Sequence, residues 1–300
     1  MNASLTLIHS DSYCRWVFDP THPTQGRRFQ NARELLLAGA QAAGVVVTER
    51  VPSGRAAAEV LHTVHDPAYV SSVLVDGHSD EWSGSRPDLS QLAATFVQGT
   101  VDAAELLHSG EATTAVHFPG AKHHALRDRS WGFCVFGDFA IAARMLVQRG
   151  HRVAILDIDA HRGDGTEALT ADELSVLTYS IHDESIFPFS PGDDDPAAAI
   201  YNRPLPHGSD GAALMEAVDD FIAKAQKFGA TMLFVTAGAD GHRADPLSTL
   251  NYEVADYIEA AQRLRAAFPN TPVLIGGAGG YRPDDYTPQV WAQFALAMAV

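Results

Sequence analysis

The sequence predicts a single α/β domain whose central, mostly parallel β-sheet is flanked by helices. Short apolar runs bounded by glycine or polar residues alternate with longer stretches of helical spacing, which is the pattern of βαβ units. No internal repeat, low-complexity tract or linker rich in proline and serine divides the 300 residues. We therefore expect residues 1–300 to form one domain, a size that open α/β sheets reach.

The elements follow one another along the chain as strand and then helix. Apolar runs of four to seven residues predict strands buried on both faces: Val45–Thr48, Thr113–Phe118, Val153–Asp157, Leu174–Ser180, Met232–Thr236 and Pro272–Ile275. Segments with helical periodicity predict the helices Arg27–Ala42, Leu92–Leu107, Phe136–Gln148, Ala212–Lys227 and Tyr252–Ala267. The acidic segment Gly192–Ala199 is predicted to be a surface loop.

Composition excludes several classes of function. The 21 Lys and Arg residues against 37 Asp and Glu residues give a net charge of −16, which should repel nucleic acid and anionic lipid. The two cysteines, Cys14 and Cys134, are too few for a disulfide framework. No run approaches the roughly 18 apolar residues that span a bilayer. We expect a cytoplasmic protein that binds neither nucleic acid nor membrane.

Polar residues collect after one predicted strand in a pattern typical of a metal site. Asp157, Asp159 and His161 recur at every second position, so an extended backbone directs all three side chains to one side. Two buried acids are costly unless a cation compensates their charge. The alternative is that an aspartate caps the next helix, as Asp164 before Gly165 can do, and that the histidine lies at the surface.

A third acid, Asp240, follows the Met232–Thr236 strand within a glycine-rich turn. Together with Asp159 and His161 it would give one nitrogen and two oxygen ligands, with positions left open for water and substrate. Hydrolysis is the natural chemistry of such a site, since zinc lowers the pKa of water to about 7. The ligand types do not select zinc over Fe²⁺, Mn²⁺ or Co²⁺.

Two further groups could take part in proton transfer. The adjacent histidines His123 and His124 follow the Thr113–Phe118 strand, and Asp157 and Asp164 are carboxylates that could hold and tune them. Tyr281 follows the Pro272–Ile275 strand and could donate a hydrogen bond to a developing oxyanion. Solvated or helix-capping histidines are the alternative interpretation.

Several motifs in order give the sequence a resemblance to the arginase/deacetylase superfamily. Within it the chain is similar to the zinc-dependent histone-deacetylase-like enzymes, and especially to bacterial acetoin-utilisation-type proteins. The resemblance covers most of the chain through these motifs: Phe18-Asp-Pro-Thr-His22-Pro23, His65-Asp-Pro-Ala-Tyr69, His123-His124-Ala, Gly132-Phe133-Cys134, Asp157-Ile-Asp159-Ala-His161, Gly238-Ala-Asp240, Asp245-Pro-Leu247 and Gly279-Gly280-Tyr281.

The resemblance implies a narrow tunnel leading to zinc in an arginase/deacetylase fold. It makes Asp159, His161 and Asp240 the metal ligands. His124 would be the general base and then the acid for the leaving amine, with electrostatic support from His123. Asp157 and Asp164 would be the carboxylate partners of these histidines, and Tyr281 would stabilise the oxyanion. The walls of the tunnel would be formed by Gly132, Phe133, Phe187 and Leu247.

The resemblance also implies a structural potassium ion near the zinc. Its ligands would be Asp157 and Ser180 together with the backbone carbonyls of Asp159, His161 and Ile181. The implied substrate is an acylated amine: an acetyl-lysine protein or peptide, an acetylated polyamine, or a small metabolite. The sequence leaves the oligomeric state open, a homo-oligomer included.

The chain departs from the family pattern at four places. Arg162 stands where a second histidine is common, Gly137 where an asparagine is common, and Ala278 interrupts the glycine run before the tyrosine. The Gly77–Asp88 loop does not align clearly with the loop that presents an acid to peptide substrates. Its candidates for that role are Asp80, Glu81 and Asp88.

Two other functions are consistent with the sequence. A ureohydrolase-like enzyme would act on a guanidinium with two metal ions, and it would need a second set of bridging acids where Asp240-Gly-His242 stands. A non-catalytic acyl-amine binder would not need the proton-transfer groups His123, His124 and Tyr281. Binding of one metal ion per chain would favour deacylation over the ureohydrolase reaction. Turnover would favour deacylation over the non-catalytic binder.

Overall fold

One sheet of eight parallel strands forms the centre of the molecule in the computed structural model, which describes residues 3–300. The strands are β1 Ser4–Ile8, β2 Val46–Arg50, β3 Thr114–His117, β4 Val153–Asp157, β5 Val176–Asp183, β6 Ile200–Leu205, β7 Met232–Thr236 and β8 Val273–Gly276. Their order across the sheet is β2-β1-β3-β8-β7-β4-β5-β6, and every neighbouring pair is parallel. The predicted α/β domain with a parallel sheet is confirmed.

Helices cover both faces of this sheet. They are α1 Arg27–Ala43, α2 Ala58–Leu61, α3 Pro67–Leu74, α4 Pro87–Ser109, α5 Asp138–Val147, α6 Asp164–Thr170, α7 Gly211–Phe228, α8 Val254–Ala267 and α9 Tyr286–Ala299. The helix α9 packs between α1 and α8, and α7 packs on α8, whereas α4 and α5 pack together elsewhere on the sheet. Alternate residues of β4 belong to two separate apolar cores, as expected for a strand covered on both faces.

Local sequence explains where several helices begin and end. Pro87 occupies the first turn of α4, and Gly110 ends that helix in the left-handed conformation. Asp210 caps α7 by accepting a hydrogen bond from the backbone N–H of Ala212 at 3.1 Å. Glu253 and Asp256 form a reciprocal capping box at the start of α8.

The sheet has edges that the sequence patterns did not predict. The expectation that Val45–Thr48 is buried on both faces is wrong, because β2 is an edge strand with mostly exposed side chains. The other edge is β6, whose Pro204 lacks a backbone donor and therefore suits an edge strand. The strand predicted at Leu174–Ser180 begins only at Val176. Patterning also missed β1, β6, α9 and the short helices α2, α3 and α6.

The carboxyl ends of the central strands lie level with one another. Asp157 of β4 pairs in register with Thr236 of β7, Thr236 with Gly276 of β8, and Gly276 with His117 of β3. The loops that follow these four strands therefore emerge side by side, where ligands bind in open α/β sheets.

Within residues 3–300, none of the helices combines the length and the apolar character needed to span a bilayer.

We expect His65 and His117 to lower the stability of the protein as the pH falls from 7 to 5, because these two buried histidines stay neutral in the folded state. Burial lowers the pKa of His65 to about 4 and that of His117 to about 3. The unfolded chain takes up these protons near pH 6.5, so it binds more protons than the folded chain below that pH. Each histidine thus removes up to about 1.4 kcal/mol of stability per pH unit.

Urea unfolding at pH 7, 6 and 5 measures this effect. His65 accepts a hydrogen bond from the backbone N–H of Gly137 at 2.9 Å and donates one to the Leu126 carbonyl at 2.8 Å. Glutamine can make both bonds without titrating, so His65→Gln should give a shallower loss of stability with acidification. A loss as steep as that of the parent protein would contradict the assignment.

Candidate active site

Four neighbouring strands deliver the predicted site residues to one place. The loop after β3 carries His123 and His124, the segment after β4 carries Asp159 and His161, and the loops after β7 and β8 carry Asp240 and Tyr281. All except the half-buried Tyr281 are less than 9% exposed. The level ends of these strands explain how residues from four segments meet.

The predicted metal ligands form one compact buried group. Nδ1 of His161 lies 3.0 Å from Oδ1 of Asp159 and 3.0 Å from Oδ2 of Asp240. One possible ligand atom from each residue lies within 4.8 Å of the others. The backbone N–H of Gly279 donates to Oδ2 of Asp159 at 2.7 Å, and that of Ala160 donates to Oδ1 of Asp240 at 2.8 Å. These bonds orient both carboxylates.

The electrostatics of this group fit a divalent cation. Burial, followed by the negative charge of Asp159, raises the pKa of Asp240. Burial disfavours the charged form of His161, yet the two carboxylates raise its pKa well above the usual value. Two carboxylates and one imidazole in a fully buried position have the donor types that hold zinc, Fe²⁺, Mn²⁺ or Co²⁺. The residues present therefore fit the metal that the family resemblance implies.

A glycine is needed at position 279 because the carboxylates of the metal group leave no room for a side chain there. A Cβ atom there would overlap Oδ2 of Asp240 and lie 2.5 Å from Oδ2 of Asp159. We expect Gly279→Ala to push these carboxylates apart and to weaken metal affinity by about 10–100-fold. Titration with zinc, followed by a competing chelating dye, measures the affinity.

Gly54→Ala is the matched control for Gly279→Ala, since a Cβ at Gly54 meets nothing within 4 Å. It should bind zinc like the parent protein. Circular dichroism establishes that both variants are folded. A folded Gly279→Ala protein with the parent affinity would contradict the placement of the metal between Asp159 and Asp240.

The two adjacent histidines each bind a separate carboxylate. Nδ1 of His123 donates to Oδ2 of Asp157 at 2.7 Å, and Nδ1 of His124 donates to Oδ1 of Asp164 at 2.6 Å. Nε2 of His123 lies 3.8 Å from Oδ1 of Asp159. Asp157 and Asp164 therefore each hold one of the two histidines through a hydrogen bond.

His123 and His124 differ in charge although they are neighbours in the sequence. Burial opposes protonation of His123, but the charges of Asp157 and Asp159 raise its pKa to about 9. Burial and the positive charge of His123 lower the pKa of His124 to about 4, against the effect of Asp164. Near pH 7 His123 is a cation, and His124 is a neutral imidazole whose Nε2 can accept a proton.

A cavity of about 540 Å³ leads from the surface to these residues. The predicted tunnel residues all line it. The ring of Phe187 lies 4.9 Å from the ring of His124. The full lining is Asp80, Glu81, His124, Trp131, Gly132, Phe133, His161, Ile186, Phe187, Phe189, Leu247 and Tyr281.

The acidic candidates of the Gly77–Asp88 loop separate into two groups. Asp80 and Glu81 lie in the wall of the cavity, and burial raises the pKa of Glu81 to about 7. Asp88 instead lies in the first turn of α4, where Arg86 donates to it at 2.8 Å. Only Asp80 and Glu81 are therefore placed to meet a substrate.

The other three departures from the family pattern differ in their local surroundings. The guanidinium of Arg162 lies 3.8 Å from Glu167, a residue of α6. A Cβ atom at Gly137 would lie 2.5 Å from Cδ1 of Leu169, so a larger residue there would require the Leu169 side chain to shift. Ala278 adopts a φ of 54°, in the left-handed region that favours glycine.

Asp157 and Ser180, which the resemblance assigns to a monovalent cation, face each other in register on β4 and β5. Oγ of Ser180 accepts a hydrogen bond from the backbone N–H of Gly163 at 3.3 Å. Ile181 follows Ser180 on the same strand. The residues proposed as potassium ligands therefore lie in adjacent segments beside the metal group.

The sequence did not single out five residues around the site. Arg28 and Lys122 are buried beneath it, and Trp131, Ile186 and Phe189 line the cavity. Lys122 directly precedes the two histidines and Trp131 directly precedes Gly132, so both positions were signals available in the sequence. The other three lie in segments without a polar motif.

The chain is similar to known proteins over nearly its whole length. The sequence profile of the histone deacetylase domain matches residues 22–298. The acetoin utilization protein AcuC of Staphylococcus aureus strain Mu50 is 28% identical over 326 residues, covering 99% of this chain and 82% of the relative. AcuC of Bacillus subtilis strain 168 is 28% identical over 318 residues, covering 97% and 81%.

A solved structure has the same fold. The crystal structure of the HDA15 HD domain superposes with a TM-score of 0.85 at 20% sequence identity, covering 99% of this chain and 90% of that chain. The profile match extends over most of the 300 residues. This chain therefore belongs to the histone deacetylase domain family and is a hydrolase of the deacetylase type.

Proposed function

We propose that this protein is a zinc-dependent amidohydrolase that removes an acetyl group from an amine, such as N-acetyl-lysine in a protein or peptide or an acetylated polyamine. The observation that carries the proposal is the pair of histidines beside the buried Asp159, His161 and Asp240 group. One histidine is cationic and the other is neutral, and each is held by its own carboxylate.

Asp159, His161 and Asp240 would hold the zinc ion. When bound there, zinc would act as a Lewis acid on the acetyl carbonyl and on the attacking water. The other steps of the reaction are carried out by amino-acid side chains of the protein.

His124 performs the proton transfers. Its Nδ1 donates to Asp164, so Nε2 of the neutral ring accepts a proton from the water that attacks the acetyl carbon. The protonated ring then gives this proton to the amine nitrogen as the C–N bond breaks. The products are acetate and the free amine. The low pKa of His124 keeps the base neutral near pH 7.

Tyr281 and His123 stabilise the negative charge that develops on the carbonyl oxygen. Burial raises the pKa of Tyr281 well above its usual value, so the phenol remains a hydrogen-bond donor. Its backbone N–H donates to Oδ2 of Asp245 at 2.7 Å, which fixes the loop that carries the ring. His123 contributes a fixed positive charge.

The cavity suits an amine on an apolar stem. Phe133 and Phe187 line its walls, and Leu247 lines it as well. Asp80 and Glu81 in the same wall would attract a cationic group further along the substrate. A potassium ion at Asp157, Ser180 and the backbone carbonyls of Asp159, His161 and Ile181 would stabilise the segments that carry the metal ligands.

The test is acetate release by zinc-loaded protein from an acetyl-lysine peptide, acetylputrescine and acetylspermidine. Metal analysis of the same sample establishes one zinc per chain. We expect turnover of at least one substrate, and the rank order of the three rates identifies the preferred amine. No acetate from any of the three, in protein that holds one zinc, would contradict simple lysine or polyamine deacetylation.

A further inference from the structure

Asp138 is a buried carboxylate to which the proposed mechanism gives no role. It is the first residue of α5 and is 0% exposed. Its Oδ1 accepts a hydrogen bond from the backbone N–H of Lys122 at 2.7 Å, and its Oδ2 accepts one from that of Ala121 at 3.0 Å. Lys122 directly precedes His123 and His124 in the loop after β3. One carboxylate therefore holds the backbone of the loop that carries both histidines.

The loop after β3 has a backbone conformation that needs support from its surroundings. Ala121 is buried and adopts a φ of 64°, in the left-handed region that residues other than glycine rarely occupy. Such a conformation persists where neighbouring groups determine it. The N–H groups of Ala121 and Lys122 are consecutive along the chain, and both reach Asp138. A change at Asp138 should therefore change the path of this loop.

Three more buried side chains continue from Asp138 as a chain of hydrogen bonds. The hydroxyl of Thr100 in α4 donates to Oδ2 of Asp138. Nδ1 of His117, at the end of β3, lies 2.9 Å from the same hydroxyl. Nε2 of His117 lies 3.1 Å from the phenol oxygen of Tyr13. All four residues are 0% exposed, so water does not compete for these bonds.

The direction of each bond follows from the protons available. The Thr100 hydroxyl has one proton and gives it to Asp138, so Nδ1 of His117 donates to the Thr100 oxygen. Burial lowers the pKa of His117 to about 3, so the ring is neutral near pH 7 and its Nε2 accepts the proton of Tyr13. Burial raises the pKa of Asp138, while its hydrogen bonds and the charge of Lys122 oppose this effect and favour the carboxylate. The chain thus ends on the Asp138 carboxylate and fixes its orientation toward the loop.

We propose that Asp138 is a positioning residue that sets, through the loop after β3, where the rings of His123 and His124 lie beside the metal group. The two rings tolerate little displacement, since their Nδ1 atoms donate to carboxylates at 2.7 and 2.6 Å. A shift of about 1 Å away from those carboxylates would break both bonds. The inference rests on the proposed function, in which these histidines act on the substrate, and it adds a residue that acts through them from outside the substrate cavity.

Asp138→Asn tests this role with almost no change in shape. Whichever way the amide is turned, its NH₂ group faces either the N–H of Lys122 or that of Ala121, so one of the two loop bonds is lost. We expect kcat per folded, zinc-loaded protein to fall by about 10²-fold, the cost of misplacing a catalytic group by about 1 Å. KM should change little, because the histidines act in the chemical step. Circular dichroism and metal analysis establish the folded and zinc-loaded fractions.

Histidine resonances provide a readout that does not depend on turnover and that a loss of stability alone would not move. In zinc-loaded protein labelled with ¹⁵N-histidine, NMR detects the Nδ1 protons of His123 and His124. The Asp157→Asn and Asp164→Asn variants each remove the acceptor of one proton and so assign the two signals. We expect Asp138→Asn to shift both resonances in the folded protein. Resonances at the parent positions would overturn the inference.

Asp102→Asn is the matched control. Asp102 lies in α4 and accepts hydrogen bonds from the backbone N–H and the hydroxyl of Ser53, at 2.6 and 2.8 Å, and neither residue lines the substrate cavity. The substitution removes bonds of the same kind and should leave kcat and both histidine resonances unchanged. A loss of kcat as large as that of Asp138→Asn would contradict a role specific to the loop after β3.

Thr100→Val and Thr100→Ser test the same chain if Asp138→Asn does not fold. Valine keeps the shape of threonine without the hydroxyl, whereas serine keeps the hydroxyl. We expect Thr100→Val to shift both histidine resonances and to lower kcat by about tenfold, less than Asp138→Asn because both loop bonds remain. Thr100→Ser should behave like the parent protein. Equal behaviour of the two variants would contradict the inference.

The two readouts separate this inference from the proposed function. Turnover by the parent protein, with unchanged resonances in Asp138→Asn, would refute the inference and leave the function standing. Shifted resonances in Asp138→Asn, with no hydrolysis of any acyl-amine by the parent protein, would refute the function and support the positioning role. Unchanged resonances without turnover would refute both.

Discussion

Replacement of Tyr281 by phenylalanine is expected to lower kcat by about 10²–10³-fold, the usual cost of losing one oxyanion donor. The substrate KM should change little, because the phenol acts on charge that develops only in the transition state. The ring of Tyr281 lies 6.0 Å from that of Phe133 and 6.4 Å from that of His161. Phenylalanine retains these packing contacts, so the structure should be preserved.

Steady-state kinetics of Tyr281→Phe and of Tyr201→Phe give the comparison. Tyr201 lies in the edge strand β6, away from the substrate cavity, and its substitution should leave kcat unchanged. Zinc content should equal that of the parent protein in both variants. A Tyr281→Phe enzyme that keeps more than about a tenth of the parent kcat would contradict oxyanion stabilisation by this phenol.

Asp240→Asn is expected to abolish tight zinc binding and, with it, turnover. Asparagine has nearly the same shape as aspartate but lacks the charge, and a neutral amide is a weaker ligand for zinc. We expect zinc affinity to fall by at least about 100-fold and kcat/KM at limiting zinc to fall in parallel. Asp193→Asn, in the exposed acidic loop, should change neither quantity.

Removal of the metal should also lower the melting temperature of the parent protein. A ligand present at 1,000 times its dissociation constant stabilises the folded state by about 4 kcal/mol, which corresponds to roughly 6 °C for a chain of this size. A chelator should therefore lower the Tm of the parent and have a much smaller effect on Asp240→Asn. Equal shifts in both proteins would show that the ion lies elsewhere.

Much of the site was predictable because its signals are local. Polar residues at every second position singled out Asp157, Asp159 and His161, although β4 ends at Asp157 and the backbone bends at Asp159 and His161 instead of staying extended. The wrong assignments concern strand position in the sheet. Val45–Thr48 is apolar enough for a central strand, and only the position of β2 beside β1 alone leaves it exposed.

Other features depend on packing that local patterns do not record. Asp88 was one of three acidic candidates, and only the position of α4 shows that it pairs with Arg86 away from the cavity. Arg28 belongs to no recognisable motif, and the only sequence signal at Lys122 is its position before His123 and His124. Their burial in one cavity results from contacts between α1, the loop after β3 and the loop after β8.

The sequence by itself determined the α/β class, the parallel sheet, the Asp159-Ala-His161 motif after β4 and the membership of the histone deacetylase domain family. The tertiary structure decided which loops meet. His161 and Asp240 are 79 residues apart in the chain, and Asp159 and Gly279 are 120 apart. They come together because long crossovers place β3, β8, β7 and β4 side by side. The different protonation states of His123 and His124 likewise depend on the burial of each ring and on the charged groups that surround it after folding.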